Sequence, residues 1–151
     1  MKRRTVLLIA ACAFAADRAV KLLAESRPES GALLPGVLAW HPTENTGMAF
    51  SLLADVPWAG AAVSLILIAA GLLLLRKFRP HRVNGLAAGL MLGGAAGNLA
   101  DRLLRGSVKD MFECLFVRFA IFNAADAFLT VGAVLMAVSL LALPKEWTSK
   151  S

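Results

Sequence analysis

The chain has 151 residues, 58% hydrophobic and only 17% charged, with a net charge of +6. A soluble domain of this size carries about 25% charged residues, so the composition excludes an ordinary water-soluble enzyme and points to a membrane protein. The basic excess is not a nucleic-acid surface, because it is sorted along the chain: Lys2, Arg3 and Arg4 precede the first apolar stretch, Arg76, Lys77, Arg79 and Arg82 fill one connection, and Lys145 and Lys150 follow the last stretch.

Apolar windows fall at about 6–24, 56–75, 83–104 and 123–143. Each is long enough to cross a ~30 Å hydrocarbon core as a helix. Segments 25–55 and 105–121 hold only Arg27, Arg105, Lys109 and Arg118 as cations, mixed with Glu25, Glu29, Glu44, Asp55, Asp110 and Glu113. The positive-inside rule then predicts both termini in the cytoplasm and those two segments outside. The expected fold class is an all-α membrane protein, a single domain over residues 1–151 built as a four-transmembrane-helix bundle.

In the first span, Lys2-Arg3-Arg4 followed by Ile9-Ala10-Ala11-Cys12 imitates a lipoprotein signal peptide. The apolar run continues through Ala13-Phe14-Ala15-Ala16, so Cys12 reads as a small packing residue of an uncleaved helix. Cys12 and Cys114 are predicted at different depths, which argues against a disulfide. Asp17 and Lys21 are i, i+4 neighbours able to pair near the outer end. Snorkelling accounts for Lys21. The short side chain of Asp17 snorkels poorly, and the residue stands either as an anchor or as part of a site.

Segment 25–55 contains Pro28, Gly31, Pro35, Gly36, Pro42 and Gly47, which break any continuous helix. The apolar pieces Val37-Leu38-Ala39-Trp40 and Met48-Ala49-Phe50-Ser51-Leu52-Leu53 predict short strands or a small sheet on the membrane surface. Trp40 and Trp58 suit the interfacial aromatic belt. His41 has no neighbouring ligand residues, so no metal site is expected.

The second span carries no charge and reads as plain scaffold. In the third, Gly85, Gly89, Gly93 and Gly97 recur every fourth residue, the small-xxx-small pattern that lets helices approach closely in lipid. Steps of four drift by ~40° around a helix, which predicts a stripe that winds off any single face. Asn98, Asp101 and Arg102 follow within an arc of about 100°.

Segment 105–121, with Val108-Lys109-Asp110-Met111-Phe112, reads as a β-prone connection lying at the interface, where Phe112, Phe116, Phe119 and Phe122 could dip into the headgroups. The fourth span opens with Asn123 and Asp126, about 60° apart, placing Asp126 one turn below the outer surface. Asp17, Lys21, Asn98, Asp101, Arg102, Asp110, Asn123 and Asp126 are thus expected in one outer layer. An ion pathway would string polar groups through the full thickness.

No serine or cysteine has a partner base, and no Cys/His cluster suggests a metal or other cofactor. What remains is carboxylate chemistry. Two carboxylates at one site share a proton, so one can deprotonate water while the other polarises a carbonyl. Glycoside hydrolysis also uses such a pair, but no sugar groove is evident. A small ion or proton transporter and a non-catalytic membrane scaffold are the alternatives.

The pieces Asp17-Arg18-Ala19-Val20-Lys21, Asn45-Thr46-Gly47-Met48-Ala49-Phe50, Gly93 to Arg102, Val108-Lys109-Asp110 and Phe122-Asn123-Ala124-Ala125-Asp126 occur in this order across nearly the whole chain. Together they resemble the lipoprotein signal peptidases, or signal peptidase II, a family of membrane aspartic proteases. The resemblance implies Asp110 and Asp126 as the catalytic dyad. It implies Asp17, Lys21, Asn45, Gly47, Asn98, Arg102 and Asn123 as residues that position the dyad or bind substrate, with Asp101 supportive and paired to an arginine. It further implies a small extracytoplasmic β-cradle and a short surface helix beside the bundle. The implied substrates are diacylglyceryl-modified prolipoproteins, cleaved on the amino side of the lipidated cysteine by a monomer surrounded by membrane lipid in the bacterial cytoplasmic membrane. Two positions depart from the pattern: Met111 follows Asp110 where Phe is frequent, and Met48 stands where Ala is usual. Both are expected to alter packing against lipid or substrate and to leave the chemistry intact.

Overall fold

The computed structural model describes residues 1–47, 58–77 and 81–142; Met48 to Phe50 of the second motif, Arg79, Lys145 and Lys150 lie outside them. The described elements are α1 (Arg3–Ser26), β1 (Gly31–Leu34), β2 (Leu38–Asn45), α2 (Ala59–Lys77), α3 (Arg82–Arg105), β3 (Val108–Cys114) and α4 (Ala124–Ala142). The helices coincide with the apolar windows to within a few residues. The short surface helix is absent from residues 27–47, and the rest of that connection lies outside the described residues.

Helix α3 is the centre of the bundle and packs against α1, α2 and α4. Its small residues make this possible. A Cβ added to Gly89 would meet Ile9 Cγ2 at 2.7 Å, one on Gly93 the Ala10 carbonyl at 2.5 Å, and one on Gly97 Asp17 Oδ2 at 2.5 Å. All three glycines therefore face α1, which corrects the expectation of a winding stripe. A row of i, i+4 residues is inclined about 26° to its helix axis, and a neighbour lying along that row meets every member. Gly94 does the same toward α4, where an added Cβ would lie 2.5 Å from the Ala125 carbonyl. Gly106, at φ 74°, ends α3 in the left-handed conformation, its N–H donating to the Arg102 carbonyl at 3.1 Å.

The distribution of side chains is inverted relative to a soluble protein. Asp17, Lys21, Asn98, Asp101, Asp110 and Asn123 are buried, while Leu7, Leu8 and Leu22 of α1, Leu65, Ile66 and Leu73 of α2, and Val134 and Leu141 of α4 are exposed. Among the described helices, α2 and α4 are long and apolar enough to cross a membrane by length and composition. Helix α1 misses that criterion through its charged residues and α3 through its glycines and asparagines.

The sheet is antiparallel in the order β1-β2-β3. In the β2–β3 ladder Thr43 opposes Asp110 and Asn45 opposes Val108, with a register shift between Trp40 and Thr43. Alternation along β3 turns Val108 and Asp110 inward. Lys109 turns outward onto its partner Glu44, 2.7 Å away. Beyond β3 the chain folds back: Phe122 accepts from the N–H groups of Met111 and Phe112 and donates to the Phe112 carbonyl, at 2.9–3.0 Å. That clamp ties the start of α4 to β3. Of the four phenylalanines expected near headgroups, Phe116 and Phe119 are exposed. Phe112 and Phe122 instead pack on each other, 5.7 Å between ring centres. Met111 is wholly buried, so it packs inside the protein and not against lipid.

Candidate active site

Asp110 and Asp126 come together because one side chain serves both. Asn123 immediately precedes α4 and forms a reciprocal cap with Asp126: the Asp126 N–H donates to Asn123 Oδ1 at 3.0 Å, and the Asn123 N–H donates to Asp126 Oδ2 at 3.2 Å. With its Oδ1 so engaged, Asn123 turns Nδ2 toward β3, where it donates to Asp110 Oδ1 at 2.6 Å. The other Asp110 oxygen accepts from Asn45 Nδ2 at 2.9 Å. Asn45 lies diagonally across the strand pair from Asp110, the reach expected for residues i and j±2 on one face. Asp126 Oδ1 accepts from Asn98 Nδ2 at 2.8 Å.

The ring is closed by Arg102. Its guanidinium donates to the Asn98 carbonyl at 3.4 Å and to the Gly47 carbonyl at 3.2 Å, while the Gly47 N–H donates to Asn45 Oδ1 at 3.0 Å. Arg102 lies so close over Gly60 of α2 that a Cβ there would displace its guanidinium. The second span is therefore more than plain scaffold, since it supplies the floor on which this arginine rests.

A cavity of about 570 Å³ lies over the two carboxylates, lined by Asp110, Asp126, Asn45, Asn98, Arg102 and Asn123. Its volume is within the 300–1,000 Å³ of small-molecule and peptide-binding clefts. The far wall is largely apolar, with Phe119 to Phe122, Leu129 and Val131 beside a single hydroxyl residue, Thr130. Burial pushes the Asp110 carboxyl up to about 6, against the lowering pull of Asn45 and Asn123; the nearby charge of Asp126 adds to the rise and Lys21 opposes it.

Behind this ring is a second layer. Lys21 Nζ donates to Asn98 Oδ1 at 3.1 Å and makes ion contacts with Asp101 Oδ2 at 2.7 Å and Asp17 Oδ2 at 2.9 Å. Arg18 bridges the same carboxylates, 2.5 Å from Asp101 and 2.7 Å from Asp17. The free oxygen of Asp17 accepts from the Ala125 N–H at 3.0 Å, at the start of α4. Asp17 thus joins α1 to the start of α4, and Lys21 meets the ring at Asn98. Neither lines the cavity. The pairing of Asp101 with an arginine is observed, and that arginine is Arg18, whose place in the cluster sequence reasoning missed. Its adjacency to Asp17 in the first motif was the available signal.

A family model described as "Signal peptidase (SPase) II" matches residues 9–142. The chain belongs to the signal peptidase II family. The lipoprotein signal peptidase of Brucella ovis is 43% identical over 90% of this chain and 91% of that protein. That of a Nostoc species is 37% identical, covering 95% and 93%. A bacterial membrane enzyme solved by the in meso method superposes with a TM-score of 0.85 at 27% identity, covering 97% of this chain and 93% of that one. Signal peptidase II membership makes this a protease of lipoprotein processing in a bacterial membrane family, and the cavity over Asp110 and Asp126 is its candidate active site.

Proposed function

We propose that this chain is a prolipoprotein signal peptidase of the bacterial cytoplasmic membrane, in which Asp110 and Asp126 hydrolyse the peptide bond on the amino side of a diacylglyceryl-modified cysteine. The observation that carries the reading is the asparagine-bridged pair: a buried carboxylate, Asp110, and a half-buried one, Asp126, share Asn123 and open onto one cavity. Like charges so placed hold one proton between them at working pH. The ionised carboxylate takes a proton from water, whose oxygen attacks the scissile carbonyl carbon. The protonated carboxyl hydrogen-bonds the carbonyl oxygen and passes its proton to it. When the tetrahedral intermediate collapses the C–N bond breaks, the departing amine takes up the proton held by the first aspartate, and the second aspartate takes a proton back from a hydroxyl as the C=O re-forms. Asn45, Asn98 and Asn123 keep the carboxylate oxygens aimed, and Arg102 braces Asn98 against the Gly47 turn.

Residues 1–151 then form one membrane domain with four spans, α1 and α3 joining α2 and α4. At 24 residues each, α1 and α3 are about 36 Å long. Their charged groups turn inward, where they satisfy one another instead of meeting lipid. The sorting of basic residues supports both termini in the cytoplasm and the sheet outside. This puts the dyad one turn below the outer surface, at the depth of a bond beside a lipid-anchored cysteine. The apolar wall of the cavity suits that lipid. A monomer is the assembly proposed, because the close approaches of Gly89, Gly93, Gly94 and Gly97 are all made within the chain.

Asn84 and Ser139 are buried at the opposite end of the bundle, but the charged buried residues stay in the one layer, which favours chemistry over ion transport. Asp110→Asn and Asp126→Asn are each expected to abolish cleavage of a diacylglyceryl-modified prolipoprotein while the protein stays folded in detergent. Full activity in either variant would falsify the dyad assignment, and cleavage of the unlipidated precursor at the same rate would remove the lipid from the substrate description.

A further inference from the structure

Helices α1 and α2 both pack on α3 but hardly on each other. Between the start of α1 and the end of α2 this leaves a cleft of about 240 Å³, lined by Arg3, Leu7, Leu72, Leu75 and Arg76. It shares no residue with the cavity over the aspartates. Its volume is below the range of pockets that enclose a whole ligand, so an occupant must extend beyond it. Leu7 and Leu72 are exposed on its walls and Leu75 is buried at its base. Arg3 is drawn to the α2 terminus, donating to the Arg76 carbonyl at 3.0 Å. Two arginines thus line an otherwise apolar slot, at the end of the bundle where Lys2, Arg4 and Arg82 also lie.

Guanidinium pairs above apolar surface match one ligand chemistry. A phosphate diester accepts from both, and an acyl chain continues along the leucines. We propose that this cleft binds an anionic phospholipid of the inner leaflet, its phosphate on Arg3 and Arg76 and one acyl chain against Leu7, Leu72 and Leu75. The inference rests on α1 and α2 being spans with this end in the cytoplasm. It adds to the peptidase reading a lipid contact remote from the active site. Each juxtamembrane arginine favours an anionic lipid roughly 5-fold, so the pair gives roughly 30-fold.

The test uses the full chain, purified in detergent, with native mass spectrometry of retained lipid. Dioleoylphosphatidylglycerol is titrated beside dioleoylphosphatidylcholine, and inorganic phosphate alone is a third arm. The wild type is expected to retain one phosphatidylglycerol at about 30-fold lower concentration than phosphatidylcholine and to retain no phosphate. In Arg3→Gln/Arg76→Gln the preference is expected to fall to a few-fold, with cleavage in phosphatidylcholine unchanged. No preference in the wild type, the same preference in the variant, or equal retention of inorganic phosphate overturns the proposal. Side-specific labelling of Lys2→Cys in a Cys12→Ala/Cys114→Ala background reports the topology on its own, so a failure of the membrane reading is seen separately from a failure of the lipid site.

Discussion

Lys21→Met is the most informative single change, because it removes one hydrogen bond and two ion contacts from the buried cluster while keeping the length of the side chain. Lys21 is 2% exposed, and its ammonium sits between Asp17, Asp101 and the Asn98 amide. Breaking a buried ion pair by deleting one partner costs about 3–5 kcal/mol. Arg18 stays bonded to both aspartates, so one negative charge is left uncompensated, not two, and the loss is expected near 3 kcal/mol. A second effect falls on catalysis. Asn98 Oδ1 loses the donor that fixes its amide, and with it the orientation in which Nδ2 faces Asp126. A hydrogen bond to a charged group contributes about 1.5–3 kcal/mol, which corresponds to a kcat lowered roughly 10- to 100-fold. The assay is cleavage of a lipidated precursor beside thermal unfolding in the same detergent. Lys21→Met/Asp101→Asn separates the two effects. It restores charge balance, so stability is expected to recover in part, whereas kcat stays low because Asn98 still lacks its partner. Wild-type kcat in Lys21→Met, or recovery of kcat in the double variant, would refute the role assigned to Lys21.

Other changes probe the remaining layers. Asn123→Ala removes the cap of α4 and the bridge to Asp110, and is expected to lower stability by about 1 kcal/mol and to abolish most cleavage. Gly93→Ala would gain about 1 kcal/mol from helix propensity in an open helix. Here the new Cβ meets the Ala10 carbonyl at 2.5 Å, so a net loss of about 1–3 kcal/mol is expected by thermal unfolding. A stabilised Gly93→Ala would show that α1 and α3 can separate freely. The raised pKa of Asp110 fixes a sign as well. Its folded value of about 6 lies above the ordinary carboxylate value, so its stabilising contribution is complete below about pH 4 and is lost as pH rises through about 6. The stability of Asp110→Asn relative to wild type is therefore expected to rise between pH 4 and 6 by up to about 1.4 kcal/mol per pH unit and to level off above. A flat difference across that window would mean that Asp110 titrates normally.

Local information placed much of this protein. Hydropathy located the four helices, since the length and composition of an apolar run are properties of a continuous segment. The poor snorkelling of a short carboxylate singled out Asp17, and the breakers between Pro28 and Gly47 foretold short strands, of which β1 and β2 are the outcome. The ordered motifs brought Asn45, Asn98, Asn123, Arg102, Asp110 and Asp126 into view. They did so without saying which touches which.

Those partnerships are long-range, and only the folded chain decides them. Asn45 reaches Asp110 across 65 positions and Asp17 reaches the Ala125 N–H across 108. Pairing at such separations depends on strand register and helix crossing, neither of which is encoded in a local window. The shift between Trp40 and Thr43 sets Asn45 diagonal to Asp110. The inclined packing of α1 along α3 turns a winding glycine row into one contact face and brings Lys21 and Arg18 against Asp101. Gly60 acquires its meaning only once Arg102 rests on it. The sequence by itself determined which residues are costly to bury and near which end of the bundle they lie. The tertiary structure decided how they pay one another's burial, because each charge is satisfied by a group from a different helix or strand.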